Sequence, residues 1–211
     1  QFIKTYTFSQ KMDDAKTLLG EILLSTKNYK DAIDILESIP NKNREATEVY
    51  QKVTYYRGLE YYNERAFQNG ISMFMRSNSN AVDDDIEALS TYWLAEAMYE
   101  VRKFGESVEN FEKFMRLPAA KRTDVYNFAH YALAYAAFER IISYRTSSED
   151  YALFQRGMIQ GLQGQNDLKI ATHQSLLQQF PKSNYSDDAG FEIAYTYFIK
   201  GEFDIAKTDL S

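Results

Sequence analysis

A five-point pattern recurs along the chain. A small residue is followed three positions on by a larger one, nine on by an aromatic, twelve on by a second small residue and sixteen on by an apolar one. Gly20, Leu23, Tyr29, Ala32 and Leu36 make the first copy. Gly58, Tyr61, Phe67, Gly70 and Phe74 make the second, and Ala95, Met98, Phe104, Ser107 and Phe111 the third. Ala194, Tyr197, Phe203, Ala206 and Leu210 make the last. Ala134 and Gly157 are weaker anchors whose second halves fit poorly. Such a repeat constrains the fold strongly, because each copy buries its apolar face only against the neighbouring copy.

The spacing describes a helical hairpin. The anchor lies midway along helix A and the second small residue on helix B, so the two helices can approach closely. The aromatic just before helix B and the apolar residue after it fill the layer between neighbours. Apolar residues recur at helical spacing in Tyr92–Met98 and Tyr131–Phe138, as an amphipathic helix requires. Gly201 falls in the turn between the helices and Gly164 in the equivalent place, where a left-handed residue ends a helix. Pro40, Pro118 and Pro181 each follow a helix-B pattern and stop it. Acidic clusters at Asp13–Asp14, Asp83–Asp85 and Asp187–Asp188 open helix A, as caps and partners of the helix dipole.

This pattern resembles the tetratricopeptide repeat, a helix–turn–helix of about 34 residues. The resemblance rests on Leu19–Gly20, Tyr29, Ala32 and Leu36; on Gly58, Tyr61, Phe67 and Phe74; and on Ile193–Ala194, Tyr197, Gly201, Phe203 and Ala206. The tryptophan that the family carries early in helix A is not matched, and Trp93 falls two places later. The resemblance implies an all-α fold, a right-handed α-solenoid of helical hairpins. A narrower likeness lies in Phe180–Ala206, where a Phe-Pro-x-Ser linker precedes an Asp-Asp-Ala helix start. It is similar to repeats of bacterial envelope proteins, among them the lipoprotein of the outer-membrane assembly machine and the periplasmic coordinator of the Tol–Pal system. This style implies the bacterial periplasm or envelope, with possible anchoring at the outer membrane.

Anchor spacings divide the chain. Gly20 to Gly58 is 38 residues, Gly58 to Ala95 is 37, Ala95 to Ala134 is 39 and Gly157 to Ala194 is 37. Ala134 to Gly157 is only 23. The expected organisation is a lead-in over 1–12, four repeats over 13–142 with the fourth incomplete, and further repeats over 143–211 with the last truncated. Two readings fit the break: an irregular repeat with a helix-B remnant, or residues missing from this sequence near 140–148. A missing helix would expose a core face of its neighbours, which favours the second. No polar capping helix follows Leu210, so the array is expected to be part of a longer protein.

Chemistry has few candidates. There is no Cys, which removes disulfides, thiol catalysis and Cys-ligated metals. His130 and His173 have no second His or Cys at ligand spacing and read as surface or groove histidines. Asp83–Asp85 lacks the later Gly and Glu of a calcium loop and reads as a helix cap. Asn184–Ser186 is a formal glycosylation triplet of little weight. No phosphate loop, nucleophile elbow or metalloprotease motif occurs. The expectation is a protein that is not an enzyme and takes no cofactor or metal. A net charge of −6 gives no support for a nucleic-acid partner, and no apolar run is long enough to span a membrane.

The chain holds 17 Tyr and 14 Phe, more than the repeat pattern needs. The resemblance implies that helix A lines a concave face, through positions three before the anchor and one, four and five after it. Those positions place an aromatic ladder there: Tyr55, Tyr92, Tyr131 and Phe191; Tyr62, Tyr99, Phe138 and Phe198; Tyr135 and Tyr195. Tyrosine rather than phenylalanine at Tyr55, Tyr62, Tyr92, Tyr99, Tyr131 and Tyr135 points to partial exposure, since a phenol needs a hydrogen-bond partner. The rings either contact a partner or pack together and narrow the groove. Charged residues on the same face are Lys52, Glu96, Glu100 and Glu139, which do not make the basic clamp of chaperone-binding relatives. The expected function is a protein-interaction scaffold in a bacterial envelope assembly, binding a protein or peptide through the aromatic face. The alternative is a carbohydrate- or small-ligand-binding module that stacks its ligand on the same rings.

Overall fold

The computed structural model describes residues 11–208, with the side chains of Lys207 and Thr208 excepted. Among the described residues eleven α-helices follow one another: α1 (Met12–Ser25), α2 (Tyr29–Glu37), α3 (Arg44–Asn63), α4 (Phe67–Ser79), α5 (Asp84–Glu100), α6 (Phe104–Arg116), α7 (Tyr126–Ser143), α8 (Glu149–Leu162), α9 (Asn166–Gln179), α10 (Ser186–Ile199) and α11 (Phe203–Thr208). A 3-10 turn at Pro118–Arg122 precedes α7. No strand occurs among the described residues. The fold is all-α, built of helical hairpins stacked as in an α-solenoid. The lead-in before Lys11 and the apolar position at Leu210 lie outside the described residues.

Two units divide within α7, the first ending at Ala132 and the second starting at Leu133. The first holds the hairpins α1–α2, α3–α4 and α5–α6, and the second holds α8–α9 and α10–α11. Within the first unit α2 packs on α3 and α4 on α5, so α2 and α4 are each shared between two hairpins. In the second unit α9 packs on both α8 and α10 in the same way.

All five hairpins turn on the same backbone device. The residue seven past each anchor has positive φ: Lys27 (60°), Arg65 (59°), Arg102 (62°), Gly164 (74°) and Gly201 (81°). The residue after it donates its N–H to the carbonyl five back. Asn28 bonds Leu23, Ala66 bonds Tyr61, Lys103 bonds Met98, Gln165 bonds Gln160 and Glu202 bonds Tyr197, all at 2.8 to 2.9 Å. This is a Schellman closure, which satisfies carbonyls that the helix end leaves free. The two glycines stand where the sequence places them. Lys27, Arg65 and Arg102 carry no left-handed signal in their residue type.

The small–large pairs pack as the pattern requires. A methyl group added to Gly20 would come within 2.9 Å of Leu36, and one added to Gly58 within 2.6 Å of Phe74. Gly70 sits against the Gly58 carbonyl, and the Ser107 hydroxyl donates to the Ala95 carbonyl at 2.9 Å. The apolar residues sixteen past each of the first three anchors, Leu36, Phe74 and Phe111, are fully buried.

The acidic helix starts behave less uniformly than expected. Asp83 caps α5, its carboxylate accepting from the backbone N–H groups of Asp85 and Ile86. Asp13–Asp14 and Asp187–Asp188 lie in the first turns of α1 and α10, whose flanking residues Lys11 and Tyr185 make no side-chain cap bond. Those carboxylates act on the dipole alone. Asn43 caps α3 through its bond from Ala46 N–H at 2.8 Å.

The weak half-repeat after Gly157 is a complete helix B. α9 starts at Asn166, nine past the anchor, and His173 fills the position sixteen past it, fully buried. The reading of His173 as a surface or groove histidine is therefore corrected: it is a core residue in the second unit. Lys169, twelve past the anchor, is also buried, and its stem passes over Gly161 while its ammonium pairs with Glu192. Polar residue types in core places hid this half from the pattern. At the register break α7 ends at Ser143, residues 144–148 turn, and α8 follows at Glu149.

Candidate functional site

The aromatic ladder separates into buried and exposed members. Tyr55 and Tyr92 are buried, at 5% and 6% exposure, which corrects the expected partial exposure at these two places. In these two hairpins a large ring of helix B meets the tyrosine, from a position that helical geometry lets it reach. At about 100° per residue, the position three before the anchor lies only about 60° from the anchor's own direction, and the position four after it about 40°. Both lean toward helix B. The positions one and five after the anchor, at about 100° and 140°, lie farther from that packing.

Tyr55 therefore packs on Phe74 and Tyr56, with ring centroids 6.3 and 5.0 Å away. Desolvation pushes its phenol up to about 12. Tyr92 packs on Phe111 at 5.7 Å, Phe114 at 5.5 Å and Trp93 at 5.3 Å. Tyr62 is half-buried and meets Phe67 at 5.2 Å and Trp93 at 5.0 Å, both edge-on. Tyr99 is half-buried beside Phe104, and Tyr131 is exposed at 47%.

Glu96, one past the anchor of α5, is half-buried beside Tyr92. Its carboxyl is pushed above the usual range, first by desolvation and then by the nearby Glu100 charge, while the neighbouring Tyr92 hydroxyl opposes the shift. Burial, then Glu96 and Glu100, push the Tyr62 phenol upward as well. Lys52 on the same side of the hairpin pairs with Glu48 at 2.6 Å and Asp83 at 3.5 Å.

In the second unit the Tyr135 hydroxyl accepts a hydrogen bond from Gln160 at 2.8 Å, and Gln160 accepts one from Thr172 at 2.7 Å. Phe138 is half-buried, edge-on to Tyr151 at 6.3 Å. Glu139 pairs with Arg156 at 2.6 Å. These residues of the expected face are tied into packing.

α10 is different. Phe191, Tyr195 and Phe198 are exposed at 58%, 49% and 57%. They share one side of the helix, and the Phe191 and Tyr195 rings stack at 6.1 Å with 7° between planes. Phe198 meets Phe203 of α11 edge-on at 5.3 Å. Ile199 on α10 and Ile205 on α11 are also exposed, at 53% and 45%. Among the described residues no three His, Cys, Asp or Glu side chains are placed to hold a metal ion, and no helix is long and apolar enough to cross a membrane.

Repeated helical hairpins, each packed on its neighbour, define a helical-repeat architecture. Residues 151–183, which are most of α8, all of α9 and the linker after it, match the tetratricopeptide repeat family. No curated protein matches the chain. Among solved structures the chain is similar to MamA of AMB-1, at 15% identity over 95% of this chain and 89% of that one, with a TM-score of 0.35. It is also similar to YrrB, described as a TPR protein with an unusual peptide-binding site, at 15% identity over 99% of this chain and 88% of that one, with a TM-score of 0.36.

Proposed function

We propose that the protein is a non-enzymatic scaffold that holds a partner protein through a peptide segment. The observation that carries this reading is the row Phe191, Tyr195 and Phe198 on α10, three large rings left half or more in solvent on one side of a helix. Rigid rings lose little conformational freedom on binding and anchor interfaces. A contiguous apolar surface of this kind marks an interaction site on a soluble domain. The tetratricopeptide match at residues 151–183 supports the same class. Tyr131 on the first unit is a further exposed ring of the ladder.

The likeness of Phe180–Ala206 to envelope repeats supports a place in a bacterial envelope assembly, facing the periplasm. Antibody detection in fractionated source cells tests this location, and recovery in the cytoplasmic fraction alone would reject it. A photo-crosslinking residue in place of Tyr195 tests the contact. Light should join it to one protein, through one contiguous peptide found by mass spectrometry. The same residue in place of the buried Phe74 should capture nothing. Equal capture at both positions would reject the surface.

A further inference from the structure

Half-buried glutamates in the helix interiors of this chain follow a rule with one exception. Glu48 faces Lys52, Glu60 faces Arg57, Glu87 faces Lys113, Glu139 faces Arg156 and Glu192 faces Lys169. Glu96 is as sheltered as these, yet among the described residues no Lys, Arg or His pairs with it. Its neighbour one turn on is another acid, Glu100, exposed and also without a cationic partner among the described residues. Sheltering a carboxylate without a counter-charge is unfavourable, and here a like charge adds to it.

The walls of the site are aromatic. Tyr62 on α3 and Trp93 on α5 meet edge-on at 5.0 Å, and both remain half-exposed. Tyr92 stands 5.3 Å from Trp93, beside Glu96. Ring faces attract cations, and two carboxylates beside them supply the charge. We propose that this face of α3 and α5 binds an arginine side chain of the partner, with the guanidinium stacked on Tyr62 and Trp93 and paired with Glu96 and Glu100. The inference deepens the scaffold reading by naming the chemistry of the partner.

The same chain already displays that chemistry internally. Arg57 lies over the Tyr61 ring at 4.1 Å and pairs with Glu60 at 2.6 Å. A planar guanidinium suits both a ring face and a carboxylate edge, which a compact ammonium does less well. The charge of −6 also favours approach of a basic segment.

Trp93 is the one tryptophan of the chain, so its fluorescence reports the site alone. The probes are an acetylated hexapeptide with two adjacent arginines and the same peptide with citrulline in both places. Citrulline keeps the shape and removes the charge. At low salt the arginine peptide should change Trp93 emission saturably, and the citrulline peptide should bind at least tenfold more weakly. Glu96→Gln with Glu100→Gln should lower affinity for the arginine peptide at least tenfold. Glu100→Gln alone, at an exposed position, should lower it a few-fold without affecting folding. Equal binding of the two peptides, or unchanged affinity in Glu100→Gln with a normal circular dichroism spectrum, would overturn the proposal. Phe191→Ala with Phe198→Ala should leave this titration unchanged. Loss of the arginine response with crosslinking at Tyr195 intact rejects only the arginine site, whereas loss of both rejects the scaffold reading.

Discussion

His173 lies against Gly157 in the place that Phe74 takes against Gly58 and Leu36 takes against Gly20. Its ring is fully buried, stacked on Phe154 at 5.4 Å, with Nε2 3.2 Å from the Phe154 carbonyl oxygen. Nδ1 has no hydrogen-bond partner among the described residues. Burial pushes this imidazole below the ordinary value, and the Lys169 charge adds to the shift, while the Phe154 carbonyl and Glu192 oppose it.

The pH consequence follows from proton counting. Below about pH 6.5 the unfolded chain takes up a proton at His173 and the native state does not, so stability falls as pH falls. His173→Phe restores the residue type found at Phe74 and Phe111. Urea midpoints at pH 7.5 and 5.5 should drop for the wild type and drop much less for the variant. Equal drops would show that His173 is not the cause.

Three hairpins turn on a cationic residue in the left-handed region, where a side chain costs about 1 kcal/mol relative to glycine. Arg102→Gly should therefore raise stability by up to about 1 kcal/mol. Gly164→Ala, at φ 74°, should lower it by about 1 kcal/mol or more. Thermal melts of the two variants should move in opposite directions.

Close approach and helix propensity make different demands on glycine. A methyl group at Gly58 would meet the Phe74 ring at 2.6 Å, whereas one at Gly190 in α10 meets nothing within 4 Å. Gly58→Ala should cost about 1–3 kcal/mol. Gly190→Ala should stabilise by about 0.5–1 kcal/mol, as read from urea unfolding.

Gln51 joins two hairpins. Fully buried on α3, it donates to the Asp83 carbonyl at 2.9 Å and accepts from the N–H groups of Val82 and Asp83 at 2.9 and 2.8 Å. Gln51→Leu leaves three backbone groups without their partner and should cost about 2–4 kcal/mol. Hydrogen exchange at Val82 and Asp83 should accelerate in the variant.

The hairpins were legible because their apolar and small residues recur at fixed spacing, as at Gly20–Leu36 and Gly58–Phe74. The second unit was less legible because His173 and Lys169 occupy core places with polar types. The sixteen-residue offset from Gly157 to His173 was the available signal. Gln51 could not be found from spacing, since its role is to satisfy a linker 31 to 32 residues away. The ladder was found as a set of positions. Which rings face solvent is not set by repeat position: Phe191 stands three before its anchor as Tyr55 and Tyr92 do, yet Tyr55 packs on Phe74 and Tyr92 on Phe111 and Phe114, whereas Phe191 is exposed.

The central claim is that the exposed rings of α10 hold a partner peptide. The direct measurement is calorimetric titration of the peptide crosslinked at Tyr195 into the wild type and into Phe191→Ala with Phe198→Ala. The account predicts at least a tenfold loss of affinity in a variant whose helical content and urea midpoint are unchanged. Equal affinity in a folded variant would contradict it.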